Sequence, residues 1–225
     1  MANYAIDPAL LQSYLPAGLE LDLYQGQCFV SLIGFYFRKV RLKGIPIPFH
    51  TQFEEVNLRF YVRRQMTDGE SRRGVVFVRE LVPITAFAIA QVANAIYGER
   101  YAVSRMSHTW ASTDLTMATT YRWGGRLQHN MTANSAPYLQ PIEPGSVEEF
   151  ITEHYWGYAR KRDGRTVEYA VQHPRWQVYP LQSFVTDADF GALYGERFAF
   201  LTGRSPENVL LAEGSAVAIL DGTAF

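Results

Sequence analysis

A chain of 225 residues fits one large domain or two small ones, and one is the expectation for a β-rich protein. Such a length buries roughly 70 % of its unfolded surface without any covalent staple. With 48 % hydrophobic and 19 % charged residues and a formal net charge of -1, it lacks the electrostatic footprint of a nucleic-acid or acidic-membrane binder. Cys28 is the only cysteine, so no internal disulfide is possible. The opening residues carry no basic, apolar leader, and no window approaches 18 uninterrupted apolar residues. A cytoplasmic protein without membrane or nucleic-acid partners is the expectation.

Asp7-Pro8 reads as an N-cap and first helical residue, opening a short helix that Pro16 and Gly18 stop. Leu19 to Tyr24 and Gln27 to Phe37 read as strands, and Gly44 to Pro48 as a stiff extended loop. In Phe53 to Val62 the alternation is clean: Val56, Leu58, Phe60 and Val62 share one face, Glu55, Asn57, Arg59 and Tyr61 the other. Arg63 to Arg73 reads as a polar hairpin loop. The strand Gly74 to Val82 follows, with Val76, Val78 and Glu80 on one face and Val75, Phe77 and Arg79 on the other.

Thr85 is positioned to cap a helix from Ala86 to Tyr97, ended by Gly98. Only Gln91 and Asn94 interrupt its apolar surface, which predicts a helix buried on most sides. Tyr101 to Tyr121 reads as two strands and Asn130 to Gly145 as a loop. Ser146 to Glu149 has the capping-box pattern. Tyr155 to Arg160 and Val167 to Val171 flank an Asp163-Gly164 hairpin turn. The chain closes with a strand from Gln177 to Val185, a helix from about Asp187, and strands near Phe198 and from Ser215 to Leu220. No composition break marks a boundary, so residues 1–225 read as one domain.

Several residues resemble known families. Tyr4 to Asp7, Leu15-Pro16 and Leu19 to Asp22 are similar to the opening of acetoacetate decarboxylases. Arg79-Glu80 leading to Pro83 resembles their catalytic segment, in which Pro-Lys-Lys follows. The closer resemblance, over nearly the whole chain, is to the YqjF-like family of uncharacterised bacterial proteins. It rests on Asp7-Pro8, Leu15 to Gly18, Gly44 to Pro46, Phe53 to Arg59, Tyr61 to Arg63, His173 to Trp176, and Ala212 with Gly214. The fold implied is a β-rich α+β one, an acetoacetate decarboxylase-like antiparallel β-barrel or curved sheet with flanking helices and one buried helix.

The departures bear on chemistry. Decarboxylases of that type form a Schiff base through a lysine whose pKa is depressed by a second lysine. Ile84 and Thr85 stand where that pair is expected, and Ala5 stands where the family carries an arginine. Lys39, Lys43 and Lys161 all read as solvated. The resemblance therefore implies the cavity without the nucleophile.

Glu80, a carboxylate in an apolar strand, is either a general base or orienting group with a raised pKa or half of a structural ion pair. Glu55, Asn57 and Arg59 form either the wall of a ligand pocket, with Arg59 and Arg79 offering forks to a carboxylate, or an ordinary solvent face. His173, beside Trp176 at a strand end, is either an acid–base group or the anchor of a turn. The remaining histidines show no metal-ligand spacing, so no metal and no cofactor are expected. Three functions compete: a small-molecule binder for a carboxylate or keto-type ligand, a non-catalytic homo-oligomeric module, and a lysine-independent isomerase or hydrolase using Glu80 or His173.

Overall fold

The structure, a computed structural model, describes residues 1–39, 41–42, 45–46 and 52–225. Lys43, His50 and much of the expected stiff loop lie outside these residues.

The long strands are β1 (Ala2–Ile6), β2 (Cys28–Arg38), β3 (Gln52–Gln65), β4 (Ser71–Pro83), β5 (Tyr101–Ser112), β6 (Met117–Gly124) and β7 (Gln128–Ser135). Later in the chain come β8 (Trp156–Arg160), β9 (Thr166–Gln172) and β10 (Leu181–Asp187). They run in the order β10-β7-β6-β5-β4-β3-β2-β1, with Asn208–Val209 beyond β1. Most pairs are antiparallel. The exceptions meet at β4, whose outer edge takes β8 in parallel at Gly74–Val75 and β5 in parallel at Glu80–Pro83. The sheet thus forks along β4.

The expected barrel does not form. Among the described residues, β10 at one end of the path and Asn208–Val209 at the other each have one paired neighbour, and no sheet closes on itself. The architecture is a large open mixed sheet with few helices.

Side-chain alternation along β3 divides the interior. Val56, Leu58, Phe60 and Val62 face a core completed by Leu32, Val76, Leu81 and Tyr4. That core is covered by α3 (Phe190–Tyr194) and the 3-10 turns that follow it, through Phe190, Phe198 and Leu201. On the opposite face Tyr61, Phe29 and Val75 pack against Phe150 and Ile151 of α2 (Val147–Thr152). Farther along that face, Phe53 and Val82 meet Ala86 and Ala90, at the start of α1 (Phe87–Tyr97).

Several local expectations are corrected. Residues expected to form a loop after Asn130 instead belong to β7, where His129, Met131, Ala133 and Ser135 are buried alternately, a period-2 pattern hidden by their small and polar side chains. The Phe198 segment is a 3-10 helix, not a strand. Helix α1 is not the buried helix its composition predicted: Phe87 is 53 % exposed and Ile96 49 %, and alanines meet Phe53 and Val82 of the sheet. Apolar composition measures what a helix can bury, whereas the neighbours present decide what it does bury. Gly98 ends it as expected, with φ 78° and its N–H on the Asn94 carbonyl.

Candidate functional site

The face of β3 that reads Phe53, Glu55, Asn57, Arg59, Tyr61 carries its polar residues between two apolar clusters. It is not a solvent face. Glu55 is 1 % exposed and Asn57 0 %, and Glu80 of β4 stands directly opposite Asn57 in register at 2 %.

That juxtaposition depends on a β-bulge. Leu58 pairs with Arg79 while Arg59 pairs with Phe77, so Val78 is the extra residue. Strict alternation would put Glu80 on the face of Val76, in the apolar core. The inserted residue reverses the pattern and moves Glu80 to the opposite face, beside Asn57 and Glu55. The same inversion sends Arg79 away: it is exposed and donates to the Leu193 carbonyl, so Arg79 and Glu80 do not converge.

Sequence-distant residues complete the cluster. The αL turn at Gly98 leads straight into Glu99, which is buried and accepts a hydrogen bond from the Tyr169 hydroxyl of β9. Tyr101 pairs with Glu80 in register, and both backbone groups of Tyr101 are held by the Asn94 side chain, at 2.8 and 3.2 Å. Asn57 Nδ2 donates to Glu55 Oε1 at 2.9 Å.

Three carboxyl groups share one water-poor site, and burial dominates their titration. It lifts Glu55 to about 8, opposed by hydrogen bonds from Asn57 and Tyr101 and by Arg59, and reinforced by the charge of Glu99. Burial, then the charges of Glu99 and Glu55, hold Glu80 well above the ordinary carboxyl range. Glu99 is raised to about 7 by burial, against hydrogen bonds with Tyr169 and Glu80 and the charge of Arg100. A protonated carboxyl donates a hydrogen bond that a carboxylate cannot, so the cluster offers both donors and acceptors near neutral pH.

Among the described residues, the buried atoms Glu55 Oε2, Asn57 Oδ1, Glu80 Oε2 and Arg59 Nε have no hydrogen-bond partner. Arg59 donates through Nη2 to the Ile151 carbonyl at 3.3 Å, and its guanidinium lies 5.6 Å from the Tyr61 ring centroid.

The other expected site residues lie elsewhere. His173 is stacked between Tyr155 and Trp176, at 4.8 and 4.3 Å, with Nδ1 on the Pro174 carbonyl at 2.9 Å. Trp176 donates to Ser215 Oγ. These contacts make the turn-anchoring arrangement. Ile84 is 60 % exposed and opens on a separate surface groove of about 360 Å³, shared with Val103, Leu127, His129 and Leu193. Lys39 is exposed and Lys161 half-buried beside its hairpin turn.

Sequence reasoning missed Glu99, Tyr101 and Tyr169. The signal was the similarity of Gly98-Glu-Arg-Tyr to Gly195-Glu-Arg-Phe, two helix-ending glycines each followed by a glutamate. Glu196 is exposed whereas Glu99 is buried, a difference that only packing supplies. A second buried group was also missed. His154 Nε2 lies 3.2 Å from Asp22 Oδ2, which also accepts from Arg73 Nε at 2.6 Å.

The chain matches a family of uncharacterised conserved proteins, DUF2071, over residues 1–216. It belongs to the DUF2071 family. The uncharacterised protein YqjF of Bacillus subtilis (strain 168) is 26 % identical over 182 residues, covering 77 % of this chain and 69 % of that protein. Among solved structures, the enduracididine biosynthesis enzyme MppR complexed with pyruvate aligns with a TM-score of 0.59 at 12 % identity. The alignment covers 99 % of this chain and 82 % of MppR. At that identity the likeness is one of fold. No helix among the described residues is long and apolar enough to cross a membrane.

Proposed function

We propose that this DUF2071 protein binds a small organic ligand, bearing a carboxylate or keto oxygen, on the polar interior face of β3 and β4. The observation that carries the reading is the set of four buried polar atoms without partners on Glu55, Asn57, Arg59 and Glu80. Burying such atoms unpaired costs about 1–3 kcal/mol each, so a face that concentrates them is organised for something other than stability. Protonated carboxyls and the Arg59 guanidinium are donors suited to a carbonyl or carboxylate oxygen. The pyruvate held by a protein of similar fold supports this ligand class. Neither Ile84 nor Thr85 forms an imine, so the proposal involves no Schiff base at that position.

The test is a thermal-shift titration of the whole chain with 4-oxopentanoate, pyruvate and simple carboxylates. Saturation at 100 times the dissociation constant adds about 2.7 kcal/mol, a rise on the order of 5–10 °C for a domain of this size. The rise should vanish in Glu80→Gln and Arg59→Ala and persist in Arg79→Ala. No rise with any compound would count against the reading.

A second reading, general acid–base catalysis without lysine, is favoured for Glu80 over His173 by the mutual interaction of the Glu80 and Glu99 carboxyls. The oligomeric reading draws support from the exposed, charge-free surface of α1 and the turn before it, with Ile84, Phe87, Val92 and Ile96 all outward. Light scattering on an Ile96→Glu variant tests it.

A further inference from the structure

We infer that the ligand of this face carries a primary ammonium as well as a carboxylate, the ammonium received by Glu55, Asn57 and Glu80 and the carboxylate by Arg59. This rests on the ligand-binding reading above and specifies its chemistry.

The geometry distinguishes the two ends. Three of the four unpartnered atoms are acceptors: Glu55 Oε2, Asn57 Oδ1 and Glu80 Oε2. Asn57 and Glu80 face each other across the β3–β4 ladder, and Glu55 is two residues along the same face. The Asn57 amide is oriented by its own Nδ2–H bond to Glu55 Oε1, which leaves the amide oxygen free. An ammonium offers three N–H donors and no acceptor, matching three open acceptors, whereas a carboxylate at this end would add further acceptors. The fourth atom, Arg59 Nε, is a cationic donor two residues beyond Asn57, about 7 Å along the strand. A zwitterion with several carbons between its charges spans that separation better than an α-amino acid.

Charge points the same way. Glu55, Glu80 and Glu99 gather three carboxyls, while the cations acting on them are Arg59 and Arg100, and the hydroxyls of Tyr101 and Tyr169 are themselves held protonated. A ligand cation offsets the burial that chiefly keeps these carboxyls neutral and the repulsion that adds to it at Glu55 and Glu80. One carboxyl ionises as the ammonium arrives, and its proton passes to the buffer.

The start of α1 meets this face through Ala86 and Ala90 against Phe53 and Val82, Asn94 and Tyr97 hold its other end to Tyr101 and Tyr169, and most of its other described side chains are exposed. A cleft lined by Phe77 and Glu99 among others has about 10 Å³, room for about one water, so the ligand requires the packing around this face to open.

The experiment is isothermal titration calorimetry of the whole chain at pH 7 with 5-aminopentanoate, pentanoate and 4-oxopentanoate, in phosphate and again in Tris. The expected result is at least tenfold tighter binding of 5-aminopentanoate than of the other two. Its heat should differ between the buffers by the amount that release of about one proton requires. Asn57→Leu should abolish the preference. Should that variant fail to fold, Glu55→Gln, which keeps an acceptor for Asn57 Nδ2, should reduce the proton release instead. Equal or tighter binding of 4-oxopentanoate would overturn the ammonium while leaving the small-carboxylate reading intact. Silence from all three compounds would overturn both, and an undiminished preference in both variants would overturn the placement.

Discussion

Raising the pH from 6.5 to 8 should destabilise this protein, and Glu55→Gln should remove part of the effect. Glu55 titrates near 8 in the folded chain against an ordinary value of 4.5, chiefly because burial penalises its charged form. The folded state therefore keeps a proton that the unfolded state has released. Stability from this group is fully present below about pH 4.5 and is lost as pH rises toward 8, at about 1.4 kcal/mol per pH unit. Between pH 6.5 and 8 that amounts to about 1.6 kcal/mol from Glu55, since the slope flattens as the folded group itself ionises near 8, or roughly 3–6 °C in Tm for a chain of this length. Glu80 and Glu99 act in the same direction, Glu99 only up to about pH 7. His154 does not mask the trend, because its pKa is lowered to about 4 and it is neutral in both states over most of this window. The buried Met1 ammonium, lowered from 8.0 to about 5 by burial, acts in the opposite direction over the same window and offsets part of the carboxyl effect, so the change of slope in Glu55→Gln is the decisive reading. Thermal melts at constant ionic strength, in half-unit steps of pH, measure the slope. An unchanged slope of Tm with pH in Glu55→Gln would refute the reasoning.

His154 provides an independent check on the acid side. Burial outweighs the attraction of Asp22 and leaves its imidazole titrating near 4, so ¹⁵N NMR should find the ring neutral at pH 6. Titration near 6.5 would mean that the ring is solvated. Packing behind the cluster predicts that Gly157→Ala is destabilising, because a Cβ at that position would meet Tyr169 Cζ at 2.1 Å. Overpacking of this kind costs about 1–3 kcal/mol, and displacing Tyr169 also disturbs the hydroxyl that holds Glu99. A Tm within 1 °C of wild type, on a scale of about 2–4 °C per kcal/mol, would show that Tyr169 yields freely.

What the amino-acid order determines by itself here is local. Alternation in Phe53 to Val62 puts Glu55, Asn57 and Arg59 on one face, because successive side chains in a strand point oppositely whatever the strand pairs with. The stop at Gly98 and the N-cap at Asp7 follow from backbone preferences confined to a few residues. That Ile84 and Thr85, neither of them a lysine, follow Pro83 is likewise visible without any fold.

Tertiary structure decides everything that depends on what lies across from a residue. The bulge at Val78 is a property of the β3–β4 pairing, and it alone puts Glu80 opposite Asn57 rather than in the apolar core. Tyr169 reaches Glu99 across 70 positions of sequence, and His154 reaches Asp22 across 132. Neither pairing has a spacing that a linear reading detects. Helix α1 has the composition of a core helix, yet much of its surface faces outward, because burial requires a partner surface and composition only permits one. The raised carboxyl pKa values belong to the same category. A glutamate in sequence is an ordinary acid, and only its exclusion from water beside two others makes it reluctant to ionise.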